Sequence, residues 1–216
     1  MLPAGKPGWG PSMRICFIGD SFMNGTGDDD CLGWPGRLCA RARRSGRDVT
    51  LYNLGIRRDT SADILVRWER EARVRLLPEH DGRLVFSFGV NDCVHEVPDR
   101  RRVPEDEALA NAHAILVRAA AWLPTLMIGP PWTGEPDLDV RVRRLSERLA
   151  GLCGALAVPF LPVCDSLAGA DAWLREAAEG DGIHPNRQGY ALLADLVAAW
   201  PEWRSWVERP GRSPPP

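Results

Sequence analysis

Lysine is almost missing from this chain: of 27 basic residues, only Lys6 is not an arginine. That scarcity reads as genomic base composition rather than function. An excess of either charge is missing too, since 29 acidic residues leave a formal net charge of -2 and a pI near 6.1. No general attraction to nucleic acid or to an anionic membrane follows from such a balance. No apolar run reaches the roughly 20 residues of a membrane span, so no membrane insertion is expected. The first twelve residues, MLPAGKPGWGPS, lack the apolar centre of a secretory signal, and a cytoplasmic location is expected. The six cysteines (Cys16, Cys31, Cys39, Cys93, Cys153, Cys164) form no C-x-x-C pair and no zinc spacing. Most lie in apolar segments, where a small buried hydrophobe is the simpler reading than a disulfide or a ligand.

What is present is an ordinary globular balance: 216 residues, 44% hydrophobic and 26% charged, enough for one domain with a substantial core. Strand-like and helix-like segments alternate. Strands are expected at Arg14 to Ile18, Val49 to Ile56, Arg83 to Asp92, Pro124 to Trp132 and Val158 to Leu167. Helices are expected from Gly33 to Gly46, from Asp59 or Thr60 to Leu77, and over Pro104 to Leu123, Asp137 to Leu156, Ala170 to Ala178 and Asn186 to Trp200. This is the pattern of an α/β fold, a three-layer α/β/α sandwich with a flavodoxin-like five-stranded parallel sheet. One domain is expected over residues 14–207, with Pro- and Gly-rich flexible tails at 1–13 and 208–216.

The carboxyl ends of parallel strands share one edge, so whatever follows each strand meets there. The first strand exits into GDSF with Ser21, the second into NLG with Gly55, and the third into GVND with Asn91. DGIHPN, with Asp181 and His184, precedes the last helix. Each block has an ordinary structural reading: a turn for Gly55, a turn or cap for Asn91 and Asp92, a helix-entry histidine held by Pro185 for His184. Together they supply a nucleophile, a base with an acid three residues before it, and oxyanion donors, which is what acyl transfer requires.

In the order and spacing of these blocks, from Arg14 to Trp200, the sequence resembles the SGNH hydrolases, the GDSL-type esterase and lipase family. The resemblance implies a carboxylic ester hydrolase with a Ser21, His184, Asp181 triad and no cofactor or metal. It also implies an oxyanion hole from the backbone N–H groups of Ser21 and Gly55 and the side-chain amide of Asn91. Two departures stand out. Phe22 occupies the position where the family name records leucine, and GIRRDTS carries Arg57 and Arg58 where many relatives have a glycine. These arginines flank the cleft and are expected to bind substrate, a small-molecule ester of short acyl chain.

Two other activities fit parts of the pattern. The same triad supports acyl transfer to a sugar or other small acceptor, and SFMNGTG faintly resembles the phosphate loop of a flavodoxin-like nucleotide-binding module. His80, His95 and His113 lack an acid at the right spacing, and HEVPD lacks the second histidine of a zinc-protease helix. Asp165 is a lesser competitor for the acid, and Asp20 reads as structural. Asp28, Asp29 and Asp30 read as a solvated acidic turn rather than a calcium loop. WPEWRSW reads as tryptophans packing a last helix, and oligomeric state is left open.

Overall fold

A computed structural model describes residues 12–97 and 100–208. The tails expected at 1–13 and 208–216 fall outside these residues apart from Ser12, Met13 and Glu208.

The chain runs β1 (Met13–Gly19), α1 (Ser21–Asn24), α2 (Gly33–Arg44), β2 (Val49–Gly55), α3 (Ser61–Arg73) and β3 (Asp81–Ser87). It continues through α4 (Val90–Cys93), a two-stranded antiparallel hairpin of β4 (His95–Val97) and β5 (Arg100–Arg101), α5 (Glu105–Trp122) and β6 (Thr125–Ile128). Then come α6 (Pro136–Ala155), β7 (Phe160–Leu161), α7 (Cys164–Ala168), α8 (Asp171–Glu179), α9 (Arg187–Ala199) and α10 (Pro201–Val207).

Five parallel strands form one sheet in the order β2-β1-β3-β6-β7. Reversal of strand order on either side of β1 makes its carboxyl end the switch point where such sheets bind ligands. Parallel register sets Phe17 of β1 beside Val85 of β3, and Ile18 beside Phe86. Side chains alternate across a strand, so Phe17 and Phe86 leave the sheet on opposite faces. Phe17 packs edge-on against Trp34 of α2 and near Trp203 of α10, at 5.5 and 6.2 Å. Phe86 packs edge-on against Trp68 of α3 at 5.5 Å. All five side chains are buried, giving the sheet a packed core on each face. Trp206 is buried as well, as the core reading of WPEWRSW requires.

Two elements differ from expectation. The fifth strand is only Phe160–Leu161, and residues expected to extend it form α7. Pro159 and Pro162 bracket those two residues and have no N–H for a ladder, so the edge strand ends at once. The β4–β5 hairpin was not anticipated, since HEVPDRR shows no run of alternating apolar residues.

Candidate active site

Ser21 is the first residue of α1, a single turn at the exit of β1. Asp20 caps that turn, its Oδ1 accepting from Phe22 N–H at 3.0 Å, and Gly25 closes it in the left-handed region at φ 86°. Neighbouring β2 braces the turn from the side: Asn53 Nδ2 donates to Met23 O at 2.9 Å and Asn24 O at 3.3 Å. Asp20 is fully buried and its Oδ2 meets no partner among the described residues. Burial raises its carboxyl to about 7, against the opposing bond from Phe22 and with help from the nearby negative charge of Asp92. The structural reading of Asp20 is therefore apt, though it caps at the cost of a carboxyl without a counter-charge.

The structure brings Ser21, His184 and Asp181 together from opposite ends of the chain. Ser21 Oγ and His184 Nε2 stand 2.7 Å apart, and His184 Nδ1 stands 2.7 Å from Asp181 Oδ2. Asp181 also accepts from the backbone N–H of Ile183 and His184 through Oδ1, at 3.0 and 2.8 Å. One short loop thus fixes the acid and the imidazole relative to each other. Burial pushes the Asp181 carboxyl up, but the hydrogen bonds from His184 and Ile183 outweigh it and hold it below the usual range. An ionised acceptor at Nδ1 selects the tautomer that leaves Nε2 free to accept the serine proton. Asp165 lies elsewhere, on α7, with its exposed carboxylate paired to Arg143 at 2.7 Å.

The loop carrying His184 is latched to the segment after the nucleophile. Asn186 caps α9 and exchanges two bonds with Asp29: Asp29 N–H donates to Asn186 Oδ1 at 3.0 Å, and Asn186 Nδ2 donates to Asp29 Oδ2 at 2.9 Å. Arg187 grips both oxygens of Asp30 at 2.9 Å, and Tyr190 donates to Thr26 O at 2.7 Å. Gly27 is pressed so close that a Cβ would fall 2.9 Å from Pro185 O and 3.2 Å from the His184 Cβ. From α8, Glu176 accepts from the N–H groups of Asn186, Gln188 and Gly189 at 2.8 to 3.0 Å, satisfying the open amides of the α9 N-terminus. The solvated-turn reading holds for the exposed Asp29 and Asp30 but not for Asp28. Asp28 is buried and paired with Arg37, while Asp29 and Asp30 reach across to the histidine loop.

The oxyanion set needs one correction. Gly55 N–H is already donated to Asn53 Oδ1 at 3.0 Å, so it is not free to meet a substrate oxygen. Gly55 is glycine for a steric reason, because a Cβ there would lie 2.3 Å from Asn24 N. The neighbouring turn, Ile56 to Asp59, closes with Asp59 N–H on Ile56 O at 3.3 Å and holds Arg58 at φ 70°. Among the described residues no protein acceptor engages the N–H of Arg57 or Arg58. Asn91 uses one amide hydrogen on Asp59 O at 3.0 Å, which leaves the second available. Asp92 is not surface turn but a buried cap, accepting from Ser61 N–H and Oγ at the head of α3.

A cleft of about 380 Å³ opens beside His184, lined by Thr26, Gly27, Arg57, Glu176, Glu179, Gly180, Asp181, His184 and Asn186. Arg57 therefore faces the site, as expected, whereas Arg58 is not part of this wall and offers its carbonyl to Arg102 at 2.8 Å. Thr26 carries the one methyl on that wall; its other aliphatic surface is the stems of Arg57, Glu176 and Glu179. Sequence reading missed Glu176, Asn53 and Asn186; only Asn186, as a cap residue just before a helix, carried a local signal.

Comparison with known proteins agrees with this architecture. The model of the GDSL-like Lipase/Acylhydrolase family matches residues 17–192. A GDSL lipase of Mycobacterium tuberculosis is 28% identical over 222 residues, covering 91% of this chain and 89% of that protein. A lipase/acylhydrolase from Enterococcus faecalis superposes with a TM-score of 0.72 at 22% identity, covering 93% of this chain and 100% of the other. An acetylxylan esterase from Geobacillus stearothermophilus does so with a TM-score of 0.71 at 18% identity, over 90% and 95% of the two chains. With most of its length spanned by the family model, the chain belongs to the GDSL-like lipase/acylhydrolase family and is a carboxylic ester hydrolase.

Proposed function

We propose that this enzyme cleaves short-acyl esters, acetyl esters in particular, through an acyl-enzyme on Ser21. The observation that carries the reading is the unbroken relay from Ser21 Oγ through His184 to Asp181, 2.7 Å at each step. Ser21 Oγ attacks the ester carbonyl while His184 Nε2 takes its proton, forming a tetrahedral oxyanion. That oxyanion is met by Ser21 N–H, the free hydrogen of the Asn91 amide and an amide of the Arg57–Arg58 turn. Collapse breaks the bond to the alcohol oxygen, which leaves with the proton from His184. Water then gives its proton to the same nitrogen, attacks the acyl group and releases the acid and Ser21.

The largely charged and polar cleft beside His184 supports a small polar ester over one with a long alkyl chain. Similarity to an acetylxylan esterase supports an O-acetylated carbohydrate in the same way. The test is a chromogenic ester panel on wild type and Ser21→Ala, with mass analysis of the peptide bearing Ser21 during turnover. Expected are loss of cleavage in Ser21→Ala at an unchanged melting temperature, and one acyl group on Ser21 in wild type. A mutant retaining half the wild-type turnover sinks the serine mechanism. Adding an alcohol acceptor separates hydrolysis from acyl transfer, because transfer yields a new ester.

A further inference from the structure

Phe22 follows the nucleophile and is buried, yet it does more than fill the core. Its ring centroid lies 4.7 Å from that of His184, with the planes tilted by 43°. Ser21 and Asp181 engage the two imidazole nitrogens, and the Phe22 ring packs against the same imidazole. Phe22 cannot retreat, because Trp173 of α8 stacks behind it at 6.0 Å and 13°. Trp173 is itself fixed by donating to Trp132 O at 2.8 Å and by packing edge-on against Tyr190 of α9.

An aromatic face attracts a cation within about 6 Å of its centroid, more strongly when water is excluded. In the proposed mechanism His184 gains a positive charge when it takes the serine proton, and its side chain is 11% exposed. We propose that Phe22 is a positioning residue that supports the His184 imidazole from one face and favours its protonated form, a role the leucine of the family name has no ring to fill. The proposal rests on the triad reading above. It also explains the aromatic column behind the site, where three rings from α1, α8 and α9 end on a single imidazole.

Other charges around His184 are Asp181 in its own loop, Glu176 and Glu179 from α8, Arg57 from the turn after β2, and the buried Asp20 behind the nucleophile. A change confined to the electrons of the Phe22 ring leaves all of them in place. The test therefore replaces Phe22 in the full-length enzyme with mono-, di- and pentafluorophenylalanine, which keep the shape and progressively cancel the negative face. Phe22→Leu is measured alongside. The readouts are kcat, KM and the acidic limb of kcat/KM against pH, with a short-acyl chromogenic ester.

If the ring favours the imidazolium, its loss lets His184 shed its proton more readily, so the limb moves to lower pH, by about half a unit. At the same time kcat falls about 2- to 5-fold with KM unchanged, graded by fluorine number. Superimposable profiles across the fluorinated series overturn the proposal, since a packing role alone is insensitive to fluorination. Repeating the series in Asp20→Asn removes the buried carboxyl that also titrates near neutrality, and the shift must persist there. Ser21→Ala keeps the two readings distinguishable: if it stays active, the triad and this proposal fail together. If it is inactive while fluorination has no effect, only the role of Phe22 fails.

Discussion

Asn186 and Asp29, 157 residues apart in sequence, exchange two hydrogen bonds and so tie the loop carrying the base to the segment carrying the nucleophile. The same Asn186 oxygen caps α9 through Arg187 N–H at 2.7 Å. Asn186→Ala removes all three bonds and is expected to cost about 1–2 kcal/mol of stability, as the loss of a helix cap does. Because His184 is two residues upstream, kcat should fall about tenfold with little change in KM, since misplacement by 1 Å is enough for losses of that order. Thermal melts and steady-state kinetics on the same preparation check both. An unchanged kcat at lowered stability would show that the latch holds the fold but not the base.

The acid is tested by a pair of isosteric changes. Asp181→Asn keeps an oxygen for the Ile183 and His184 amides but puts an amide where His184 Nδ1 needs an acceptor, favouring the wrong tautomer. Turnover should drop by roughly 10³- to 10⁴-fold. Asp165→Asn breaks only an exposed, solvent-screened pair with Arg143 and should leave turnover within a factor of two. Initial rates at saturating ester decide between them, and a reversed order would reassign the acid.

Asp20 makes a prediction about pH and stability. Its carboxyl is raised by burial from 3.8 to about 7, so between those values the folded protein holds a proton that the unfolded chain has released. Stability linked to this group is complete below about pH 4 and is lost as pH rises toward 7. Asp20→Asn removes the charge and retains an oxygen for Phe22 N–H. The mutant should melt close to wild type at pH 4 and higher than wild type at pH 8. Parallel melting curves across that range would refute the assignment.

Chain-length preference follows from the cleft wall, which offers arginine, carboxylates and amides and only one methyl. Each buried methylene is worth roughly 0.8 kcal/mol where an apolar surface receives it, and here that surface is only the stems of charged side chains and the Thr26 methyl. Catalytic efficiency on p-nitrophenyl esters of two to sixteen carbons should therefore be highest for acetyl or butyryl. A peak at eight carbons or beyond would contradict it.

The sheet was legible because each main strand is a compact apolar run bounded by glycine or proline, and the meeting of Ser21, His184 and Asp181 was legible because each sits in a short block at a strand exit or helix entry. What escaped depends on partners distant in sequence. Nothing in GDDDC announces that Asp29 and Asp30 meet Asn186 and Arg187, or that Glu176 closes the amides beyond Pro185. Gly55 misled because a glycine at a strand exit serves equally as a donor or as a gap, and here Asn53 and the close approach of Asn24 make it a gap. Phe22 was expected to alter packing, and its ring packs against His184 with centroids 4.7 Å apart. VPFLPVCDSL has strand-like composition, but its two prolines cut the ladder to Phe160 and Leu161.

The contact between Ser21 and His184 closes a span of 163 residues, and the bonds of Asn186, Arg187 and Tyr190 to Thr26, Asp29 and Asp30 join the same two regions. Contacts of such long range are costly to close early in folding, when most of the intervening chain is still free. All five sheet strands precede α9 in the chain and can pair before it has docked, but none of that pairing brings His184 to Ser21. Return of ester cleavage during refolding thus reports the docking of the last helices rather than formation of the sheet, and a nascent chain ending before Asp181 carries the nucleophile without its chemistry.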